Sequence, residues 1–450
     1  MSNQRISRRD FMRRSAMVGG ATLAARTVIL EPLSAAASPR AVPPSDHVRF
    51  GIIGIGMQGS GLLRNAVSLP GVECVAACDL YDGRHDVAKE IVGKPINTTR
   101  RYKELLDNKE IDAIINATPD HWHRQIVMDC CNAGKDVYCE KPMTHTVGEG
   151  FEMIDAARKN NRIVQVGSQR PSSIVYAKAK EILDKGMLGD VCLVEATMGR
   201  NEPSGAWQYP IPPDLSPQTL DWDTWLGTAP KVPFNPMHYQ RWRCWQAYSS
   251  GVAGDLFVHL LTGIHFISGI SAPPDRALAS GGLYRWKDGR DVPDVHATVY
   301  DYPKFQAFVR VTLNTETPEI TRFMGKGGLM EIVNGELTFT PQDGLDHGPS
   351  FLSGTWPKKL REEYLSKWRD EHPYKHDAAT QEAVRYTAPT GYNETREHLY
   401  TFFNAVRTRT PVVEDASFGN NTAIACHMAN HSYFKKTIAI WDAANKSLRG

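Results

Sequence analysis

From Val48 onward, short apolar runs alternate with stretches whose apolar residues recur at helical spacing. That alternation predicts βαβ units and a parallel sheet. Val48–Ile53 reads as the first strand, with a helix following through Leu62, Leu63 and Val67, and Val72–Cys78 as the second strand. Further strands are predicted at Ile111–Asn116, Asp136–Cys139 and Ile163–Val166. Each gives way to polar or turn residues: Thr118-Pro-Asp-His-Trp-His123, Glu140-Lys-Pro142 and Gly167-Ser-Gln-Arg170. Ligands bind beyond the carboxyl ends of strands in an open parallel sheet, so these clusters are expected to line one crevice. In the second half, alternating or β-branched runs at Val191–Thr197, His296–Tyr302, Gln306–Leu313 and Leu329–Val333 predict a second sheet, and Asp255–Ile267 reads as an apolar helix.

Composition narrows the class without changing this layout. The 450 residues are 41% hydrophobic and 23% charged, as in an ordinary globular protein of two to three domains. Lys and Arg total 52 against 50 for Asp and Glu, a net charge of +2, which gives no electrostatic reason to expect nucleic acid. No apolar run approaches the roughly 18 residues that span a bilayer, so no membrane anchor is expected.

The first 46 residues read as an address and a linker. Arg5, Arg8, Arg9, Arg13 and Arg14 precede a short apolar stretch from Ala16 to Ala25 and the small residues Ser34–Ala37. This layout resembles a twin-arginine signal peptide over 1–37, followed by a proline-containing linker over 38–46. A periplasmic or secreted protein, exported folded, is the expectation. Of the eight cysteines, Cys74, Cys78 and Cys139 fall in apolar runs and Cys130-Cys131 in a helix, and none shows CxxC spacing. Buried thiols are expected, with neither a disulfide framework nor a metal site.

The first strand runs into Gly54-Ile-Gly56-Met57-Gln58-Gly59, and the second ends at Asp79, twenty residues past the last glycine. That context makes the glycine motif a dinucleotide fingerprint. Gly54 allows the tight turn, Gly56 the approach of backbone to a pyrophosphate, and Gly59 close packing of helix on strand. The helix N-terminus then offers N–H groups and its positive dipole end to the phosphates. Asp79 suits an adenosine ribose and repels a 2′-phosphate, which favours NAD, while Arg84 nearby keeps NADP open. Thr118, Pro119, His123, Glu140, Lys141 and Gln169 complete the predicted cofactor contacts. His121 and His123 lack third and fourth ligands at metal-like spacing. They read instead as a helix start, with Asp120 as N-cap. No Gly-x-Ser-x-Gly elbow supports a serine hydrolase.

Four motifs in order, namely Gly54–Gly59, the Ala-Thr-Pro-Asp-His-Trp-His stretch ending at His123, Glu140-Lys141-Pro142 and Asp255-Leu-Phe-Val-His259, resemble the Gfo/Idh/MocA family of oxidoreductases. The resemblance runs from about Val48 to the C-terminus. It implies an α/β plus α+β architecture: a Rossmann domain over 47–170, then an α+β domain over 171–450 with an open, mainly antiparallel sheet. It further implies that Lys141 touches nicotinamide ribose and substrate hydroxyl, that Asp255 and His259 abstract the hydroxyl proton, and that the chain forms a homo-oligomer. Spacing alone places Asp255 and His259 on one helical face, where a carboxylate can orient an imidazole for general base work. His265, six residues past His259, lies on another face and is expected to be structural.

Residues 200–250 carry half of the ten tryptophans. Flat aromatic faces suit the CH faces of sugars, and Arg241 and Arg243 could hold hydroxyls or a carboxylate; packing of a long loop or a subunit interface explains the same aromatics equally well. Arg170, His238, Tyr239, Arg241 and Trp242 are the predicted substrate contacts. A second insertion, over 341–390, contains a charged helix-like stretch at Lys358–Glu371. Export adds a constraint: free nicotinamide is absent outside the cytoplasm, so a tightly bound cofactor must be recycled on the enzyme. Two chemistries satisfy this. One exchanges hydride between a sugar or polyol and a second carbonyl compound. The other is redox-neutral glycoside hydrolysis by oxidation, elimination, water addition and reduction, with His238, Tyr239 and Tyr209 as candidates for an extra base. A sugar-binding protein that has lost catalysis predicts broken motifs, and Lys141, Asp255 and His259 are intact.

Overall fold

In the computed structural model, the structure describes residues 26–27, 46–270, 272–342, 349, 352–372 and 382–450. The signal peptide and linker expected over 1–46 lie outside the described residues, save for the two-residue strand Arg26–Thr27 and Asp46, as does part of the 341–390 insertion.

The first domain is built of β1 (Val48–Ile53), α1 (Met57–Val67), β2 (Val72–Cys78), α2 (Gly83–Val92), β3 (Asn97–Thr99), α3 (Tyr102–Asp107), β4 (Ala113–Asn116), α4 (Asp120–Asn132), β5 (Asp136–Glu140), α5 (Glu149–Lys159) and β6 (Val164–Gly167). Its six strands are all parallel, in the order β3-β2-β1-β4-β5-β6. All residues of β1 are buried except Arg49, as expected of a strand covered on both faces. The strand order reverses between β1 and β4, and a crevice opens there at the carboxyl ends.

The chain continues through α6 (Ile174–Asp184), β7 (Val191–Gly199), the short helices α7 (Trp222–Leu226) and α8 (Pro236–Gln240), and a π-helical turn, Ala253–Phe257, that leads into α9 (Val258–Ser268). Then come β8 (Arg276–Gly282), β9 (Val295–Asp301), β10 (Gln306–Thr312), β11 (Thr317–Gly325), β12 (Gly328–Val333), β13 (Glu336–Pro341), α10 (Lys358–Glu371), β14 (Val384–Thr387), α11 (Glu394–Thr408), α12 (Ala416–Lys435), β15 (Ala439–Asp442) and β16 (Ser447–Arg449). From Arg26–Thr27 at one edge the second sheet runs β14-β13-β12-β11-β7-β10-β9-β8-β15-β16. It is antiparallel except where β7 meets β10 and at the Arg26–Thr27 edge. Strict alternation of buried and half-buried positions along β9 marks one face turned to the core, the face that α9 and α12 cover.

One boundary differs from the linear reading. Leu399, Phe402 and Phe403 of α11 are fully buried in the same cluster as Phe50, Ile52, Leu62 and Leu63 of the first domain, with the rings of Phe50 and Phe403 5.3 Å apart. The dinucleotide-type domain is therefore finished by a helix more than two hundred residues downstream, which a boundary at 170 leaves out. The tryptophan-rich excursion is an ordered packing unit: Trp222 and Trp225 stack at 4.9 Å and Trp225 packs edge-on against Tyr239. All the cysteines are free and buried except Cys192. No helix among the described residues is long and apolar enough to cross a membrane.

Candidate active site

The glycine turn is held by backbone geometry that excludes a side chain. Gly54 has φ +89°, and a β-carbon there would lie 2.7 Å from the Ala117 carbonyl oxygen. A β-carbon on Gly59 would lie 2.0 Å from the Gly54 carbonyl oxygen, so α1 can start this close to β1 only with glycine at that position. Asp79 serves the same turn from the end of β2. Its carboxylate accepts from the Ile55 N–H at 2.8 Å and the Tyr81 N–H at 3.0 Å, with Arg84 3.9 Å away and the Tyr239 hydroxyl donating at 3.4 Å. A cavity of about 320 Å³ opens in front of this turn. Gly54, Gly56, Met57, Gln58, Asp79, Thr118, Pro119, Glu140, Lys141, Tyr239 and Trp242 line it, together with Arg84, Arg243, Tyr209 and Trp225. A cradle that β-carbons would fill, a helix N-terminus and a carboxylate at the second strand end fit a dinucleotide.

His123 stands behind this lining. Its ring nitrogens meet the carbonyl oxygens of Pro142 at 2.8 Å and Thr118 at 2.9 Å, so it braces two ligand-facing loops and stays out of the cavity. Asp120 is not the cap of α4: Pro119 holds that position, and Asp120 is the first helical residue. Its buried carboxylate accepts the Ser250 N–H of the second domain at 2.8 Å, and burial raises its pKa. His121 bonds the Trp225 carbonyl at 3.0 Å. Among the described residues no group of three His, Cys, Asp or Glu could hold a metal.

Glu140 and Lys141 follow β5. Glu140 is buried and accepts from the Gln58 amide at 2.9 Å; burial pushes its carboxyl up to about 7. Lys141 Nζ reaches across the domain junction to Asp255, 2.8 Å from Oδ1 and 3.0 Å from the backbone oxygen. Arg243 Nε donates to the same Oδ1 at 2.9 Å, and Trp207 Nε1 to Oδ2 at 3.1 Å. Burial alone would raise the Asp255 carboxyl, but Lys141 and Arg243 beside it hold it well below the usual carboxylate range. It is an anion at any working pH.

The sequence reading of Asp255 and His259 needs correction here. Asp255 sits in the π-helical turn rather than in a regular α-helix, and the wider turn changes the angle between the two side chains. The carboxylate is taken up by Lys141, Arg243 and Trp207, while the imidazole of His259 donates to the Ser168 backbone carbonyl. Burial first, then Lys141 and Arg170, keeps His259 well below its ordinary pKa. The ring is therefore neutral. Behind it the Ser168 hydroxyl bridges Glu414 and Thr262, and burial pushes the Glu414 carboxyl up to about 8.

Of the expected substrate contacts, Trp242 lines the cavity near Arg243, and Tyr239 lines it at the Asp79 end. The other three are committed elsewhere. Arg170 is ion-paired to Glu319 at 2.5 Å and Glu394 at 2.8 Å. His238 stacks on Trp245 at 4.0 Å and meets the Tyr248 hydroxyl at 3.1 Å. Arg241 donates to Gln208 and to the Tyr209 carbonyl. Gln169 donates to the Tyr138 hydroxyl at 3.0 Å and is not among the residues that line the cavity. His265 is structural, between Thr422 and Tyr302. Sequence reasoning missed Trp207 as a donor to Asp255 and weighed Arg243 only beside Arg241. Two arginines two residues apart in an irregular segment carry no pattern that says which one turns inward.

Comparison with known proteins adds the following. An oxidoreductase-family model for an NAD-binding Rossmann fold matches residues 48–168, and the family's C-terminal alpha/beta domain matches 173–273. An inositol 2-dehydrogenase of Salmonella paratyphi B is 34% identical over 149 residues, 33% of this chain and 44% of that one. A glycosyl hydrolase family 109 protein of Shewanella pealeana is 30% identical over 254 residues, 52% of this chain and 54% of that one. The chain thus spans about half the length of the curated relatives it matches. The solved structure of an aldose-aldose oxidoreductase from Caulobacter crescentus, complexed with glycerol, superposes with a TM-score of 0.63 over 88% of this chain and 99% of that one at 17% identity, a likeness of fold.

Proposed function

We propose that the chain is an oxidoreductase of the Gfo/Idh/MocA type, as the matches of that family's two domains to residues 48–168 and 173–273 support, and that it transfers hydride between a carbinol carbon of a sugar or polyol and a nicotinamide cofactor. The observation that carries the reading is the convergence of Lys141, Asp255 and His259 beside the glycine-turn cavity. A bound nicotinamide supplies the hydride acceptor and donor. Lys141, pinned by Asp255, presents its ammonium where a substrate hydroxyl must sit and stabilises the oxygen as negative charge develops. His259, neutral and fixed by the Ser168 carbonyl, accepts the proton. Asp79 supports NAD over NADP, because a 2′-phosphate there would meet its carboxylate.

The same proposal includes a tightly held cofactor and export in the folded state, which the arginine pair Arg8-Arg9 supports. Exposed Leu278 and Ile440, on one face of neighbouring strands β8 and β15, support a homo-oligomer through that face. The second reading is redox-neutral glycoside hydrolysis. It is favoured by Tyr209 on the cavity wall and by similarity to the family 109 protein over about half of each chain.

Purified protein, with no cofactor added, mixed with nitrophenyl glycosides and with free sugars separates these readings. A reduced-nicotinamide band that rises with a free sugar and reverses with a second carbonyl compound is the expected result. Sustained nitrophenol release would replace it with the hydrolytic reading. Lys141→Ala should abolish either reaction while leaving cofactor binding measurable, and an unimpaired variant would refute the assigned role.

A further inference from the structure

Arg243 sits in a short 3-10 turn, Trp242–Cys244, and its side chain is only 16% exposed. Its guanidinium lies over the Trp242 ring, 4.2 Å from the centroid, and both residues line the cavity that Lys141 enters. Nε is used by Asp255 Oδ1 at 2.9 Å, and the two terminal amino groups have no partner among the described residues. Arg241 is the contrast: its Nε and Nη1 are both consumed by neutral acceptors of its own loop, Tyr209 and Gln208, so it is scaffold. The nearby anions are also committed. Asp255 is shared by two cations, Asp120 accepts from Ser250, and Glu140 accepts from Gln58. Lys141 and Arg243 therefore bring two positive charges to one carboxylate.

We propose that the substrate is a sugar acid, an aldonate- or uronate-type molecule whose carboxylate docks on the free fork of Arg243 while Lys141 and His259 address a hydroxyl. The inference rests on the sugar or polyol reading above and narrows its substrate class. A guanidinium seated over an aromatic ring, with Nε fixed by a carboxylate, is restrained at two points and turns its remaining N–H donors to the cavity as a fork. Planar carboxylates match that fork bidentately, whereas a neutral hydroxyl pair leaves the surplus charge uncompensated. Packing on Trp242 keeps water from one side of the guanidinium, which strengthens a bond to an anion.

The test uses the holoenzyme with its own cofactor and matched pairs, glucuronate with glucose and galacturonate with galactose, on the wild type, Arg243→Gln and Arg243→Lys. The acid should be preferred in kcat/KM by at least about tenfold, the worth of a charge-assisted bidentate contact. Arg243→Gln should collapse that ratio toward unity, with Arg243→Lys between. The ratio is the readout, because any loss transmitted through Asp255 slows both members of a pair alike. Direct titration of Trp fluorescence with glucuronate and galacturonate reads docking without turnover. Binding of either acid that disappears in Arg243→Gln supports the proposal even if neither pair is oxidised, in which case the hydride reading alone fails. Wild-type enzyme that handles the neutral sugar as well as the acid, or that binds neither acid, overturns it.

Discussion

At the scale of single residues, the site depends on groups that a motif does not name. Trp207 is fully buried with φ +64°, an uncommon conformation for a bulky residue, and its indole N–H holds one oxygen of Asp255. Trp207→Phe should keep most of the packing and remove that donor. Hydrogen bonds to charged groups are worth about 1.5–3 kcal/mol of stability, so the melting temperature should fall by a few degrees, and kcat should fall as the Asp255 carboxylate loses one of its three holds. Steady-state rates beside a thermal melt check this; a variant as active as the wild type would mean that Asp255 needs no third donor. Glu414 carries a pH prediction. Its folded pKa is about 8 against an ordinary 4.5, so between those values the folded state keeps a proton that the unfolded state has lost. Stability therefore falls as pH rises across that window, by up to ~1.4 kcal/mol per pH unit. The contribution is full below the unfolded pKa and gone once pH passes the folded one. Glu140, at about 7, acts in the same sense. Urea midpoints at pH 6 and pH 9 should drop less for Glu414→Gln than for the wild type, and equal drops would contradict a buried, protonated Glu414.

At the scale of elements, the parts most legible in the sequence are those set by local rules. The glycine turn, Asp79 at the second strand end, the Lys141 turn after β5 and the charged helix Lys358–Glu371 all lie where period and turn chemistry put them. The π-helical turn does not follow from such rules. A helical pattern read at 3.6 residues places Asp255 and His259 on one face, and nothing local announces the extra residue in the turn. The turn is closely packed: Gly254 brings the backbone so near Ser250, one turn upstream, and Pro142 of the first domain that a β-carbon would lie 2.2 Å from the Ser250 β-carbon and 3.1 Å from the Pro142 ring. Gly254→Ala should push this turn away from the Lys141–Pro142 segment, lengthen the Lys141–Asp255 contact and depress turnover far more than cofactor affinity. Gly59→Ala should do the reverse, because its β-carbon would collide with the Gly54 carbonyl and spoil the phosphate cradle. Fluorescence titration with NADH beside steady-state kinetics distinguishes the two; the same phenotype from both would erase the separation between cradle and catalytic turn.

At the scale of the whole molecule, the two domains share cores and ion pairs as well as a cavity. Arg170, just after β6, is clamped by Glu319 of β11 and Glu394 of α11, while α11 itself buries Phe402 and Phe403 against the first sheet. This long-range return is the feature least visible in the sequence, because an amphipathic helix declares that it has a buried face without declaring whose. The same limit explains why Arg170 read as a substrate contact: its partners lie 149 and 224 residues away. The structure makes cooperativity the expectation. Phe402→Ala removes a fully buried ring from the first domain's core, a change that typically costs 3–5 kcal/mol, i.e. roughly that much stability, although the residue belongs to the C-terminal half of the chain. Unfolding followed by NADH fluorescence, which senses the glycine-turn domain, and by the tryptophans of residues 200–250, which sense the second, should then shift together by the same denaturant increment. If the two signals separated, with the tryptophan transition unmoved, α11 would be a detachable cover and the domains would unfold independently.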